Sequence, residues 1–350
     1  MLDSTTADIY LINDDGELIG RPIISACVDA YSSMCLGYYV GWKGGNESLR
    51  KLMLNVATNK VEWCKKFGVD IKEEDWNCHR LPHKVVTDMG KEFAGYTFSN
   101  LANLGVEIMN LEPFRPELKS LVERFFGLIQ DSFKKELINK GVVLKDFGDR
   151  GAIDYRKNAC LTLEQFEKVL LLCIIHYNCN RVIELPYGID GIGSHAKDLW
   201  NCCLTKNKDM LIPVNKNLLN LTLLPRCRCF FKRNGLWANG LRYRAIGFTD
   251  EYLKSNMGWA AYDPKNVNHV WYELSGQYFE FDLIESFFLD KSLEEVRAYK
   301  NKEKDEAVHI KELESEIRLS NEIEKIGNVS NRVIEIKNVR KNRKKEIIKK

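Results

Sequence analysis

The stretch that most constrains this chain runs from Pro113 to Lys134, Pro-Phe-Arg-Pro-Glu-Leu-Lys-Ser-Leu-Val-Glu-Arg-Phe-Phe-Gly-Leu-Ile-Gln-Asp-Ser-Phe-Lys. Pro113 and Pro116 hold the chain extended, because a residue before proline avoids the helical region. Pro116 then suits the first turn of a helix, where its missing N–H costs nothing. Leu118, Val122, Phe125, Ile129 and Phe133 recur at steps of three and four, which makes one buried stripe. Lys119, Ser120, Glu123, Gly127 and Gln130 fall on the opposite face. The pattern predicts a helix that a core holds rigid, with Glu123 aimed outward one turn above Lys119. An isolated glutamate so placed would simply be solvated and paired with that lysine.

Two other stretches change the reading. His83-Lys84-Val85-Val86-Thr87-Asp88 reads as a short strand, and Met89-Gly90-Lys91-Glu92-Phe93 turns out of it; an Asp before a Gly is often only a turn former. Leu2-Asp3-Ser4-Thr5-Thr6-Ala7-Asp8-Ile9-Tyr10-Leu11-Ile12 is β-prone and carries Asp3 among small polar residues. An Asp on a first strand, an Asp-x-Gly-x-x-Phe after a later strand, and a Pro-x-x-Lys-x-x-x-Glu helix 35 positions on resemble the DDE transposases and retroviral integrases. Within that superfamily the likeness is greatest to the Mu and TnsB type of bacterial transposase, and it covers most of residues 1–285.

The resemblance implies an α/β, RNase-H-like integrase core: a mixed sheet flanked by helices. It implies that Asp3, Asp88 and Glu123 are catalytic and hold two Mg²⁺ or Mn²⁺ ions, with Asp3 bridging them. Opening or joining a DNA phosphodiester is an in-line displacement, which two metals about 3.5–4 Å apart can clamp. Mg²⁺ takes oxygen ligands, typically one or two carboxylates with water and substrate phosphate. Lys119, on the face of Glu123, is placed to meet a phosphate. Many relatives have Asn after the second acid, where this chain has Met89. Asp3 also lies at the very start of the sequence, so the expectation is an N-terminally truncated chain lacking the DNA-binding domains that precede the core in such proteins.

Composition excludes little. Charged residues make up 29% and hydrophobic residues 45%, and the net charge of +3 does not by itself indicate a nucleic-acid partner. No apolar run reaches the roughly 20 residues needed to span a membrane. Eleven cysteines, an odd number, are scattered among many Lys and Glu. They read as free thiols in a reducing bacterial cytoplasm rather than a disulfide framework.

Residues 1–42 read as three strands, with Asn13-Asp14-Asp15-Gly16 as a turn. Asp8 is five positions from Asp3, so on a regular strand it faces the other side; Asp8 and Asp29 are left out of the site. Asn46 is positioned to cap a single helix running to Gly68. Cys78, His79 and His83 hint at zinc but lack a fourth ligand of suitable spacing. Thr162 starts a second apolar helix over Leu161–Tyr177, closed by His176-Tyr177-Asn178. Residues 179–210 read as a connector anchored by Trp200.

Residues 211–285 change character. Short β-like runs are punctuated by Asn234-Gly235, Asn239-Gly240, Asp263-Pro264 and Ser275-Gly276. That pattern predicts a small antiparallel β-barrel. Leu236-Trp237-Ala238-Asn239-Gly240-Leu241-Arg242-Tyr243 resembles part of the Mu-type C-terminal barrel. Arg226, Arg228, Lys232, Arg233, Arg242 and Arg244 make it basic enough to track a DNA backbone. Cys227 and Cys229 read as core thiols. Residues 291–326 read as a charged helix, and residues 337–350 as a disordered basic tail.

The expected division is therefore a catalytic core over 1–190, a connector over 191–210, a DNA-contacting barrel over 211–285 and a charged helical and basic tail over 286–350. The function implied is a transposase subunit that cleaves and joins transposon-end DNA, working as a multimer on paired ends and a target. An AAA+ ATPase is a candidate partner for the tail, as in TnsB-like proteins, and no membrane is involved. A truncated, non-catalytic DNA-binding or regulatory transposase remnant stays open beside it, as does a simple RNase-H-like nuclease.

Overall fold

The computed structural model describes residues 1–87, 100–110, 120–144, 154–185, 191–207, 211–327 and 337–348. The N-terminal strand stretch divides in two. Strand β1 (Leu2–Thr6) ends before Ala7, and a short pair follows, β2 (Leu11–Ile12) with β3 (Leu18–Gly20). The long apolar strands β4 (Ile23–Val28) and β5 (Cys35–Gly41) form a hairpin. Asp29 shapes its turn: its carboxylate accepts the Ser32 N–H and hydroxyl, both at 2.7 Å. The sheet order is β1-β4-β5, antiparallel, with Asp3 opposite Ala26.

The single helix expected from residue 46 is two. Helix α1 (Asn46–Val56) is preceded by Gly45 with no side-chain cap, so Asn46 lies inside the helix. The break follows from local competition for backbone groups. Thr58 Oγ1 donates to the Leu54 carbonyl, and Asn59 Oδ1 accepts the N–H groups of Val61 and Glu62. Asn59 thereby starts helix α2 (Lys60–Lys65). Helix α1 lies close on β5 because Gly37 leaves room; a Cβ there would sit 2.7 Å from Val56 Cγ2.

Next come β6 (Leu81–Pro82), β7 (Lys84–Thr87) and β8 (Glu107–Asn110). Strands β7 and β8 pair in parallel, and β7 runs beside β1. Helix α3 (Ser120–Glu136) packs across β1 and β4 and against helix α4 (Leu163–Cys179). As expected, Thr162 caps α4, in a capping box with Gln165. Asn178 near the end of α4 is fully buried and binds Cys35 like a strand neighbour, accepting its N–H at 2.9 Å and donating to its carbonyl at 3.2 Å. The stretch read as a connector contains helix α5 (Ala196–Lys206). Its Trp200 is an anchor, buried and donating to the Asn77 carbonyl at 3.0 Å. Strand β9 (Leu211–Ile212) pairs with β6, and helix α6 (Lys216–Leu223) joins the same apolar core through Leu219 and Leu223.

The predicted barrel is present and closed. Strands β10 (Arg226–Lys232), β11 (Gly235–Ala238), β12 (Leu241–Arg244), β13 (Met257–Asp263), β14 (Asn266–Leu274) and β15 (Gln277–Leu283) run in the order β10-β11-β12-β15-β14-β13, with β13 pairing back onto β10. Helix α7 (Thr249–Lys254) lies between β12 and β13 in sequence. Phe231, Tyr272 and Phe281 fill the interior with edge-on ring contacts. Cys229 is buried there and Cys227 half-buried, and all eleven cysteines are free thiols. Residues 264–267 and 287–350 form a separate compact unit built on the charged helix α8 (Leu293–Gly327). Val339–Ile348, read as part of a disordered tail, is helical and forms α9. No described helix is long and apolar enough to cross a membrane.

One buried cation holds the loop after α1 in place. Lys60 is 1% exposed, and its ammonium donates to the carbonyls of Asn55, Val56, Thr58 and Cys78 at 2.7–3.2 Å. Burial pulls its pKa down to about 8. Lys60→Met keeps most of the apolar stem but orphans those acceptors. It should lower the denaturant-derived stability by roughly 2–4 kcal/mol.

Burial also pushes the Glu167 carboxyl up to about 7, against the pull of Lys51. A folded-state pKa above the unfolded value of 4.5 gives stability that is fully present below pH 4.5 and lost as pH rises through about 7. Glu167→Gln stays neutral throughout. Its stability should therefore fall less than the parent's over that pH window, by on the order of 1–3 kcal/mol in parallel denaturation series.

Candidate active site and nucleic-acid interface

Asp3 is the second residue of β1 and is partly exposed, while Leu2 before it is buried. Its Oδ1 accepts the Ser4 N–H at 2.8 Å, and the Ser4 hydroxyl meets that of Ser25 on β4 at 2.8 Å. Glu123 lies in the first turn of α3 and is exposed. Val122, Phe125, Phe126, Ile129 and Phe133 are buried around it, which fixes the rotation of the helix as the stripe predicts. Phe125 meets Tyr177, and Phe133 meets Phe166, both edge-on at 5.0 and 5.2 Å between ring centroids.

Asp88 and Lys119 lie outside the described residues. Thr87, just before Asp88, is the buried end of β7, paired with Asn110. The described part of the candidate site thus consists of the strand carrying Asp3, the helix carrying Glu123 packed on it, and the strand that leads to Asp88 alongside.

Asp8, set aside in the sequence, has a structural task. Its carboxylate accepts from Lys134 Nζ at 2.6 Å and from the Arg21 guanidinium, and its backbone N–H donates to Gln130 Oε1 at 2.9 Å. Gln130 and Lys134 are one turn apart on α3. A single residue at the end of the first extended stretch therefore grips the second half of the helix that carries Glu123.

Among the described residues, His269, Glu280 and Asp282 are the one group of metal-ligating side chains whose ligand atoms lie close together. They sit on the outside of the barrel, where His269 Nδ1 is 2.9 Å from Asp282 Oδ1. Cys78, His79 and His83 form no such group.

The six basic barrel residues divide by environment. The Arg226 side chain is 3% exposed, ion-paired with Glu273 at 2.9 Å, bonded to the Tyr278 hydroxyl and stacked on the Tyr278 ring. Arg242 is held by Glu285 at 2.7 Å. Arg228, Lys232, Arg233 and Arg244 are exposed. Tyr243, which the sequence placed beside these cations, is 1% exposed and faces inward. Burial pushes its pKa up. Instead Trp259 stands under Arg228, with the guanidinium 5.8 Å from the ring centroid, and Trp237 under Lys232 at 4.6 Å.

Residues 1–139 match the family model of the TnsB C-terminal domain. The resemblance to TnsB-type transposases is thereby borne out. The transposon Tn7 transposition protein TnsB of Escherichia coli is 27% identical over 294 residues, covering 77% of this chain. The chain spans 40% of the length of that relative. Two solved structures superpose loosely. The catalytic core domain of BIV integrase gives a TM-score of 0.34 at 17% identity, over 59% of this chain and 95% of that one. The simian T-cell lymphotropic virus intasome bound to PP2A regulatory subunit B56 gamma gives 0.31 at 11%, over 83% and 77%.

Asp8→Ala removes the acceptor shared by Arg21 and Lys134. The expected loss is about 1–3 kcal/mol, between that of an exposed and a buried ion pair. Hydrogen exchange should quicken across α3 while α1 and the barrel keep their protection.

Proposed function

We propose that this chain is the catalytic part of a DDE-type DNA transposase that cleaves DNA at transposon ends and transfers the strands to a target. In this reading the core, residues 1–190, is RNase-H-like. The connector over 191–210 leads to a DNA-contacting barrel over 211–285, and the tail over 286–350 is the docking segment for an AAA+ ATPase. Asp3, Asp88 and Glu123 are the catalytic carboxylates and would hold two Mg²⁺ or Mn²⁺ ions. An all-oxygen donor set suits such hard cations. Those ions, when bound, supply charge neutralisation on the attacking and leaving oxygens of the phosphodiester.

One observation carries the reading. Glu123, Gly127, Gln130 and Lys134 follow one another at steps of three and four, so they form one stripe on α3. From the Asp8 grip at Lys134, Glu123 lies eleven residues back, about 16 Å along a helix. From the same grip, Asp3 lies five residues back, on strand β1, which ends at Thr6. Helix α3 packs on β1 itself, which supports the reading that Glu123 and Asp3 belong to one site. The strand running beside β1 ends one residue before Asp88.

The chain's own residues then have separable tasks. Glu123 is presented by a helix that cannot rotate without exposing Phe125 and Phe133. Ser4 steadies Asp3 through its N–H. Lys119, four residues before Glu123 in sequence, would bind a phosphate of the substrate. Arg228, Lys232, Arg233 and Arg244 supply the DNA-backbone contacts on the barrel, whereas Arg226 and Arg242 are taken up by Glu273 and Glu285. The protein is expected to act as a multimer on paired ends, in the bacterial cytoplasm.

The test is metal-dependent cleavage and joining of DNA carrying the element's ends. Alanine at Asp3, Asp88 or Glu123 should each reduce the rate by more than about a hundredfold and weaken Mn²⁺ binding, leaving thermal unfolding little changed. Variants that retain full activity would overturn the assignment.

A further inference from the structure

The outer face of the barrel is divided by charge. Registers across β11, β10 and β13 put Arg228 beside Trp259, and Phe230 between Trp237 and Met257. Among the positions of that outer face that pair across the three strands, none is a carboxylate, and Asp263 at the end of β13 lies beyond them, against Arg50. The outer face of β14 and β15 is the reverse, carrying Glu273, Glu280 and Asp282. The cationic side is also the apolar one: Met257 is 70%, Trp259 49% and Phe230 44% exposed. A small barrel normally turns polar residues outward, so a contiguous exposed aromatic stripe marks a contact surface.

Phosphates alone would not call for these rings. Arg and Lys can track a backbone from any polar surface, and a duplex keeps its base faces stacked away from a flat sheet. Rings interleaved with cations at strand spacing match a ligand with both a charged backbone and open π-faces. We propose that the Trp237, Phe230, Met257 and Trp259 stripe binds unpaired bases of DNA, with Arg228 and Lys232 on the adjoining phosphates. Taking DNA as the ligand rests on the function proposed above; the preference for unpaired bases is added by the stripe. Lys232 over Trp237 and Arg228 over Trp259 hold the indoles in place at the edges of the stripe, leaving Phe230 and Met257 between them.

The experiment measures binding of the full chain to oligothymidylate and to a duplex of equal length, in EDTA, across a salt series. The native chain should favour the single strand and show quenching of tryptophan fluorescence on binding it. Trp259→Ala and Phe230→Ala should each weaken single-strand binding by roughly ten- to a hundredfold at every salt concentration, with the slope of log affinity against log salt unchanged. Arg228→Ala should reduce that slope. Trp259→Phe, which keeps a ring, should bind like the native chain, and circular dichroism checks that each variant is folded.

Native-like single-strand binding by folded Trp259→Ala and Phe230→Ala would overturn the proposal, as would equal or greater preference for duplex. Loss of self-association in the same variants without DNA would overturn it too, making the stripe a protein contact. Because EDTA removes the metal chemistry, these outcomes are independent of the cleavage assay. An active enzyme with an inert stripe refutes only this inference, and a chain that binds no DNA at all refutes both.

Discussion

The arrangement of the candidate site depends on one carboxylate outside it. Asp8 joins Arg21, Lys134 and Gln130 where the first extended stretch leaves the sheet. The apolar stripe from Val122 to Phe133 decides which face of α3 is buried, but packing alone tolerates sliding along the helix axis. A charge-assisted hydrogen bond does not, because its strength falls steeply with distance and angle. The stripe therefore sets the rotation of α3 and Asp8 sets its height. Together they define where Glu123 stands relative to Asp3, two residues separated by most of the core sequence. Asn178 has the corresponding task at the far edge, tying α4 to β5 through both backbone groups of Cys35.

What could be read from the sequence follows from how local each signal is. The α3 stripe, the Thr162 capping box and the barrel turns at Asn234-Gly235 and Ser275-Gly276 are encoded within a few residues, and all appear where expected. The errors arose where two local signals competed. Asn46 looks like a cap, but Gly45, with φ of 69°, takes the boundary, and Asn59 later captures two N–H groups and splits the helix. The connector over 179–210 contains α5 because Trp200 buries against the loop at Asn77, a long-range contact that composition does not reveal. Asp8 stands beyond the end of β1, where strand parity does not reach, and its partners Gln130 and Lys134 lie more than a hundred residues away. On the barrel, charge counting found six cations without showing that Arg226 is enclosed and that Arg242 is held by Glu285. The alternation Arg228-x-Phe230-x-Lys232 with Met257-x-Trp259 was the available signal for the outer stripe. It became readable only once the register between the two strands was known.

The barrel shows why residue type is a weaker guide than placement. Arg226 and Arg228 are two positions apart on one strand and share its outer face, yet they behave as different residues. Arg226 lies where the closing strands bring Glu273 and Tyr278 over it, so its charge is enclosed with a carboxylate and an aromatic ring. Removing either partner would leave a buried charge uncompensated, which is the costly case. Arg228 faces Trp259, whose ring attracts the guanidinium without neutralising it. Its charge therefore remains available to a third party. The same distinction separates Arg242, gripped by Glu285, from the exposed Arg244 two residues on. A closed barrel thus divides a uniformly basic stretch into cations neutralised by carboxylates and a charged, aromatic face. It is that face, rather than the net charge of +3, that argues for a polyanionic partner.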